Sequence, residues 1–156
     1  MNNACNYFLN EGFSCSESVV KAAIDKGLVP EDLLCVATPF SGGMGSGCLC
    51  GAAAGAQIVI GFMFGKNKTN NARIFSKKFI EEFKKIHKTT CCRALTAAFK
   101  DFHSKERKNH CVNMVESSCL ILDKILEEKG LPPVEADYLL DDKELEDEIQ
   151  RNAKGA

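Results

Sequence analysis

Apolar residues recur along most of the chain at spacings of three and four, the period of an amphipathic helix. Cys5, Phe8 and Leu9 predict a short first helix over residues 3–10, ended by Gly12. "SCSE" at residues 14–17 has the spacing of a capping box. It opens a second helix through Val19, Val20, Ala23 and Ile24 to Gly27, a C-cap candidate. Residues 30–39, bounded by two prolines, predict a helical turn and a break. Residues 42–47 form a loop by composition, and a central buried helix follows from near Cys50 to near Gly65. Ile74, Phe75, Phe79, Ile80, Phe83 and Ile86 make one apolar stripe over residues 70–87. "KTTCCRAL" restarts a helix after Thr89 and Thr90. Val112, Val115, Cys119, Leu122 and Leu126 define a long helix over residues 107–130, stopped by Gly130 and a Pro-Pro pair.

No segment alternates with period two strongly enough to predict a strand. The expected architecture is all-α, a compact multi-helix bundle with a glycine-rich loop before a central buried helix. Residues 1–131 read as one helical domain and residues 132–156 as an acidic C-terminal extension. Residues 137–154 of that extension are weakly amphipathic, a surface helix or a frayed end.

The composition changes little in this picture. The chain has 156 residues, 45% hydrophobic and 26% charged, enough for a core without disulfide staples. A net charge of −1 argues for neither nucleic acid nor membrane. The charge is unevenly spread: net −3 over residues 1–65, +9 over 66–110 and −7 over 111–156. A basic helix and an acidic tail that are solvated, or neutralise one another, account for this; a basic docking face for an acidic protein partner is the alternative. The opening "MNNACNYFLNEG" lacks the pattern of a secretion signal. The apolar run 52–64 is 13 residues long and contains Gln57, whereas a bilayer needs about 20 apolar residues. The expectation is a cytoplasmic protein without membrane insertion. Nine cysteines in a reducing compartment then point to metal or redox chemistry more than to disulfides.

The unusual stretch is "SGGMGSGCLCGAAAGAQIVIGFMFG", residues 41–65, with eight of the twelve glycines. A dinucleotide fingerprint would need glycine at position 48 or 50, and both are cysteine; no strand precedes the loop. A phosphate loop would end in Gly-Lys-Ser/Thr, which is absent, so nucleotide binding is not expected. Gly47, Gly51 and Gly55 are spaced by four, which suits close helix packing but leaves Cys48 and Cys50 unexplained.

Three cysteine positions share a local context. Cys15 follows the predicted N-cap Ser14, Cys50 opens the central helix, and Cys91 and Cys92 follow two threonines. A helix N-terminus carries about half a positive charge and unpaired N–H groups, which favour a thiolate. On that ground the Cys15 thiol is expected below its free pKa. Cys111 lies inside a predicted helix, able to face inward with Val115 and Ser118. Cys5, Cys35 and Cys119 read as small buried hydrophobes. The spacings match neither a zinc knuckle nor a ferredoxin run, so a metal site would be assembled from distant segments. His87, His103 and His110 read as surface histidines, with His110 placed to support Cys111.

These elements resemble a known family. "GFSCSESVVKA", the glycine-rich loop running into CGAAAGA and an apolar helix, "CCRAL" and "HCVNMV" occur in the order of the C_GCAxxG_C_C family, small proteins described as redox-active and related to a helical domain of split-Soret cytochromes. The resemblance covers about residues 5–126. It implies a helical fold and places the family cysteines at Cys15, Cys50, Cys92 and Cys111. Cys48 and Cys91 fall outside the pattern, each beside a family cysteine, and are second-tier thiols. Gly43, Gly45, Gly47 and Gly51 are expected to line the cofactor. The family implies an iron–sulfur type of group; no Cys-x-x-Cys-His site is present, so haem is not expected. The leading expectation is an iron–sulfur electron-transfer protein on those four cysteines. A metal-free thiol–disulfide protein or sensor, with Cys91 or Cys48 as resolving partner, and a structural zinc protein stay open. No substrate motif is readable, so whether the chain is an enzyme or an oxidoreductase component also stays open. A redox partner protein is implied but not identified, and a homo-oligomer is compatible with the sequence.

Overall fold

The computed structural model describes residues 3–65 and 71–127. The described chain is helical, and no strand occurs among the described residues. Helices α1 (Ala4–Asn10), α2 (Cys15–Asp25), α4 (Gly51–Phe64), α5 (Asn71–His87) and α7 (Lys105–Glu127) form the body; α3 (Leu33–Ala37) and α6 (Cys92–Leu95) are short. The expected acidic extension 132–156 lies outside the described residues.

The boundaries have local causes. Ser14 caps α2: its Oγ accepts the Glu17 N–H, and the Glu17 carboxylate accepts the Ser14 N–H at 2.8 Å. At the other end Gly27 takes φ +68, which lets Leu28 N–H bond to Ala23 O and Gly27 N–H to Ile24 O. Those two bonds make a Schellman stop.

Helix α4 is apolar all round and sits in the centre, against α2, α5 and α7. The α2–α4 contact is the most extensive in the fold. It depends on Gly55, where an added Cβ would meet Ser16 O at 2.5 Å. Phe79 and Phe83 from α5 are fully buried, each worth about 1.5–3 kcal/mol of burial. From α7, Met114, Val115, Cys119, Ile121, Leu122 and Ile125 complete the core. Among the described residues no helix is long and apolar enough to cross a membrane.

Several expectations are corrected. Gly47 is not on the face of α4; it lies before the helix at φ +74, so the close-packing stripe is Gly51 and Gly55. The loop has its own geometry: Gly42, Gly43, Met44 and Gly45 all have φ between 58° and 68°, a left-handed turn. Only its glycines take that conformation without steric cost. Cys35 is exposed, not buried, because α3 turns Ala37 inward and position 35, two residues away, falls on the opposite face; its Sγ–H donates to Asp32 O. Cys5 is only half-buried, since Ala4, Tyr7 and Phe8 form the inner face of α1. Ile86, at the end of the α5 stripe, is exposed. The N-cap of α6 is Cys91 itself, with Thr89 Oγ1 accepting the Cys91 N–H.

Candidate functional site

Four cysteines from four segments reach one cavity. Cys15 is the first residue of α2, Cys50 the N-cap of α4, Cys92 the first residue of α6, and Cys111 lies on the second turn of α7. All four line a cavity of about 440 Å³. Phe8, Phe13 and Met114 contribute apolar wall, and Phe102, Arg107 and Lys108 line it from the side of α7 and the segment before it.

The backbone brings the sulfurs together. Cys50 N–H donates to Thr90 O at 2.6 Å, fixing the start of α4 beside the entry to α6. Arg93 Nη2 donates to Ser46 O at 3.0 Å and clasps the glycine-rich turn from the α6 side. Gly51 brings α4 against Cys15: a Cβ there would sit 2.4 Å from the Cys15 Sγ. Gly42 N–H points to the Cys15 sulfur, opposing the loss of its charge-stabilising water.

The electrostatics reverse one expectation. Burial pushes the Cys15 thiol up, and this outweighs the backbone N–H groups at Gly42 and the helix start. Helix-end stabilisation is present at Cys15, but desolvation is larger. Burial also pushes Cys50 up to about 12, with Cys15 adding to it and the Ala53 and Ala52 N–H groups opposing. Cys111 is pushed up to about 11 by burial, opposed by the Arg107 charge. Cys92 adds to the upward push on Cys15, and Cys15 and Cys92 both add to those on Cys50 and Cys111. As free thiols, Cys15, Cys50 and Cys111 therefore hold their protons at neutral pH.

The other sequence candidates divide. Gly51 lines the cavity, whereas Gly43, Gly45 and Gly47 do not; Gly42 takes their place on the wall. Gly43 instead packs on the Cys48 backbone, and Gly47 on the Arg93 side chain. Cys48 is exposed, and Cys91 points away from the cavity, its Sγ–H reaching Gly47 O at 3.5 Å. His110 bonds Leu95 O at 2.9 Å through Nε2 and so joins α7 to the end of α6, off the cavity wall. His87 Nε2 lies 2.7 Å from Ser117 Oγ and is half-buried, and His103 is an exposed residue of the cavity rim. Among the described residues, no three His, Cys, Asp or Glu side chains are gathered closely enough to hold a single metal ion. Arg107 and Phe102 were not legible as site residues, although Arg107 stands four residues before Cys111, one turn away on the same face.

The family described as "Putative redox-active protein (C_GCAxxG_C_C)" matches residues 13–125. The chain belongs to this family. The match begins two residues before Cys15 and runs through most of α7, so all four cavity cysteines lie inside it. No curated protein and no solved structure matches the chain. As a C_GCAxxG_C_C protein it shares a family described as redox-active, with an all-helical fold and nine cysteines.

Proposed function

We propose that this C_GCAxxG_C_C protein is an electron-transfer protein whose cavity holds an iron–sulfur cluster on Cys15, Cys50, Cys92 and Cys111. The observation that carries the reading is the convergence of four thiols from four segments on one cavity. The donor set fits: four thiolates are what [2Fe–2S] and [4Fe–4S] centres require. The fit extends to packing, because residue 51 has no Cβ and leaves the Cys15 sulfur its place.

The pKa directions support a cationic occupant over bare thiol chemistry. A nucleophilic or disulfide-exchanging cysteine works as a thiolate, and burial keeps Cys50 and Cys111 protonated to about 12 and about 11. Binding to iron would displace those protons and return the desolvation cost as metal–sulfur bonding. When bound, such a cluster supplies one-electron transfer. The chain's own part is to supply the thiolates, exclude water and hold backbone N–H groups near the sulfurs, as Gly42 does at Cys15. The physiological partner would be a redox protein, and the compartment a reducing one such as the cytoplasm.

Purification without oxygen, followed by iron, acid-labile sulfide and zinc determination and a visible spectrum, tests this. Iron and sulfide in similar amounts with broad visible absorption support it. A colourless protein carrying one zinc, or no metal with fast reversible oxidation of the cavity thiols, replaces it with the corresponding alternative.

A further inference from the structure

The cavity contains one side chain that the cluster reading does not use but the geometry aims at the sulfurs. The Arg107 guanidinium lies over the Phe102 ring, with its Cζ 3.7 Å from the ring centre. Its Nη1 donates to Phe102 O at 2.8 Å, and its Nη2 points at Cys92 Sγ at 4.0 Å. Phe102 is held in turn by the left-handed turn, since its ring covers the bare α-carbon of Gly42, where a Cβ would approach Phe102 Cζ to 2.9 Å. A continuous chain of contacts thus runs from Cys15 through Gly42, Phe102 and Arg107 to Cys92. Phe102 is about half exposed, 52%, although it is a large apolar residue. Its place is explained by the stack it makes more than by the area it buries.

The other charges around the cavity are otherwise engaged. Lys108 Nζ donates to Leu9 O at 3.1 Å and sits over the Phe8 ring. Glu17 is tied to Ser14 N–H and Thr38 Oγ1.

We propose that Arg107 is the counter-charge of the cysteine site, a positioning residue clamped by Phe102 so that its guanidinium stabilises the more negative of the site's two redox states. The inference deepens the electron-transfer reading and rests on it for its physiological meaning. One electron from a protein donor adds one negative charge to the site and moves no other atom. A fixed positive charge beside Cys92 favours that state. Its planar fork allows simultaneous stacking, a bond to the Phe102 carbonyl and a face toward sulfur, which a lysine cannot reproduce.

The test uses the protein as purified without oxygen, as wild type, Arg107→Met, Arg107→Lys and Phe102→Ala. Metal content judges the cluster reading separately. If the protein carries iron, the midpoint potential is read from visible absorbance. Arg107→Met should disfavour the reduced state about tenfold, or about 59 mV for one electron, with iron content unchanged. Arg107→Lys and Phe102→Ala should shift in the same direction by less. Should Arg107→Met fail to fold, the last two variants decide. If the protein is metal-free as purified, the readout is the ratio of iodoacetate to iodoacetamide labelling at Cys92, mapped by mass spectrometry. The thiolate fraction cancels in that ratio, which reports local positive potential. Arg107→Met should lower it several-fold, and Phe102→Ala should lower it less. Unchanged potentials in the iron protein, or an unchanged ratio in the metal-free one, overturn the assignment.

Discussion

Gly51 lies flush against the Cys15 sulfur. A Cβ at residue 51 would stand 2.4 Å from Cys15 Sγ and 2.8 Å from Phe40 O, so any side chain there displaces the thiol or the turn that carries Phe40. Gly51→Ala should cost about 1–3 kcal/mol, the usual range for overpacking, and should lower the iron content of protein purified without oxygen. Gly61 in the same helix is the control, since an added Cβ there meets nothing within 4 Å. Gly61→Ala should raise stability by about 0.4–1 kcal/mol and leave iron content alone. Equal effects of the two substitutions would mean that Gly51 serves helix packing and not the site.

Cys50 and Cys119 are both buried, at 6% and 4% exposure, yet they sit in different surroundings. Cys50 lines the cavity; Cys119 packs in the hydrophobic core of α7. Cys119→Ala should cost about 1 kcal/mol, the centre of the range for single substitutions, with iron and sulfide retained. Cys50→Ala should remove the cluster and keep most of the far-ultraviolet helical signal. Loss of iron from the Cys119 variant, measured per folded protein, would contradict this division of roles.

The helical layout was legible because long amphipathic stretches carry a repeated signal. The α5 and α7 stripes each involve five or six positions, and the capping box at Ser14 and Glu17 names its own partners. What failed were positions decided by tertiary neighbours. Cys35 has apolar sequence neighbours but sits on a five-residue helix, and nothing local says that this helix leaves it exposed. Gly47 keeps the four-residue spacing of Gly51 and Gly55, but the chain before Cys50 is a left-handed turn, so the spacing loses its meaning there. At the site, helix starts at Cys15, Cys50 and Cys92 were visible in the sequence. The ionisation of Cys15 and Cys50 was not, because desolvation depends on walls that come from other segments. Arg107 was missed for the same reason: its relation to Phe102 and Cys92 exists only once residues 92–107 have folded back on the cavity.

Ser14 supports the site from below. Its Oγ accepts the Glu17 N–H, its own N–H is satisfied by Glu17, and its carbonyl accepts from Ser18 Oγ at 2.7 Å. Ser14→Ala should cost about 0.5–2 kcal/mol, seen as a fall of about 2–4 °C in Tm per kcal/mol for a chain of this size. Ser14→Asp can restore the cap and should recover most of the loss. If the alanine variant melts with the parent, the capping box contributes nothing measurable to α2.

The last prediction concerns alkaline pH and uses a thiol outside the cavity, so that the contents of the site do not enter. Burial pushes Cys119 up from 9.0 to about 12. In the unfolded chain this thiol ionises near pH 9, whereas in the folded protein it keeps its proton. Between those values the unfolded state binds fewer protons than the native state, so stability falls as pH rises. The contribution is fully present below pH 9 and is lost progressively toward pH 12. From pH 8 to pH 10 the loss from this one group is about 1.4 kcal/mol, one pKa unit's worth. Cys119→Ala lacks the group and should not share that loss. Its deficit of about 1 kcal/mol at pH 8 should therefore close by pH 10 in urea unfolding at the two pH values. Other groups that titrate in this range are common to both proteins and cancel in the difference. A deficit that stays constant from pH 8 to pH 10 would mean that Cys119 ionises as readily in the folded protein as in the unfolded chain.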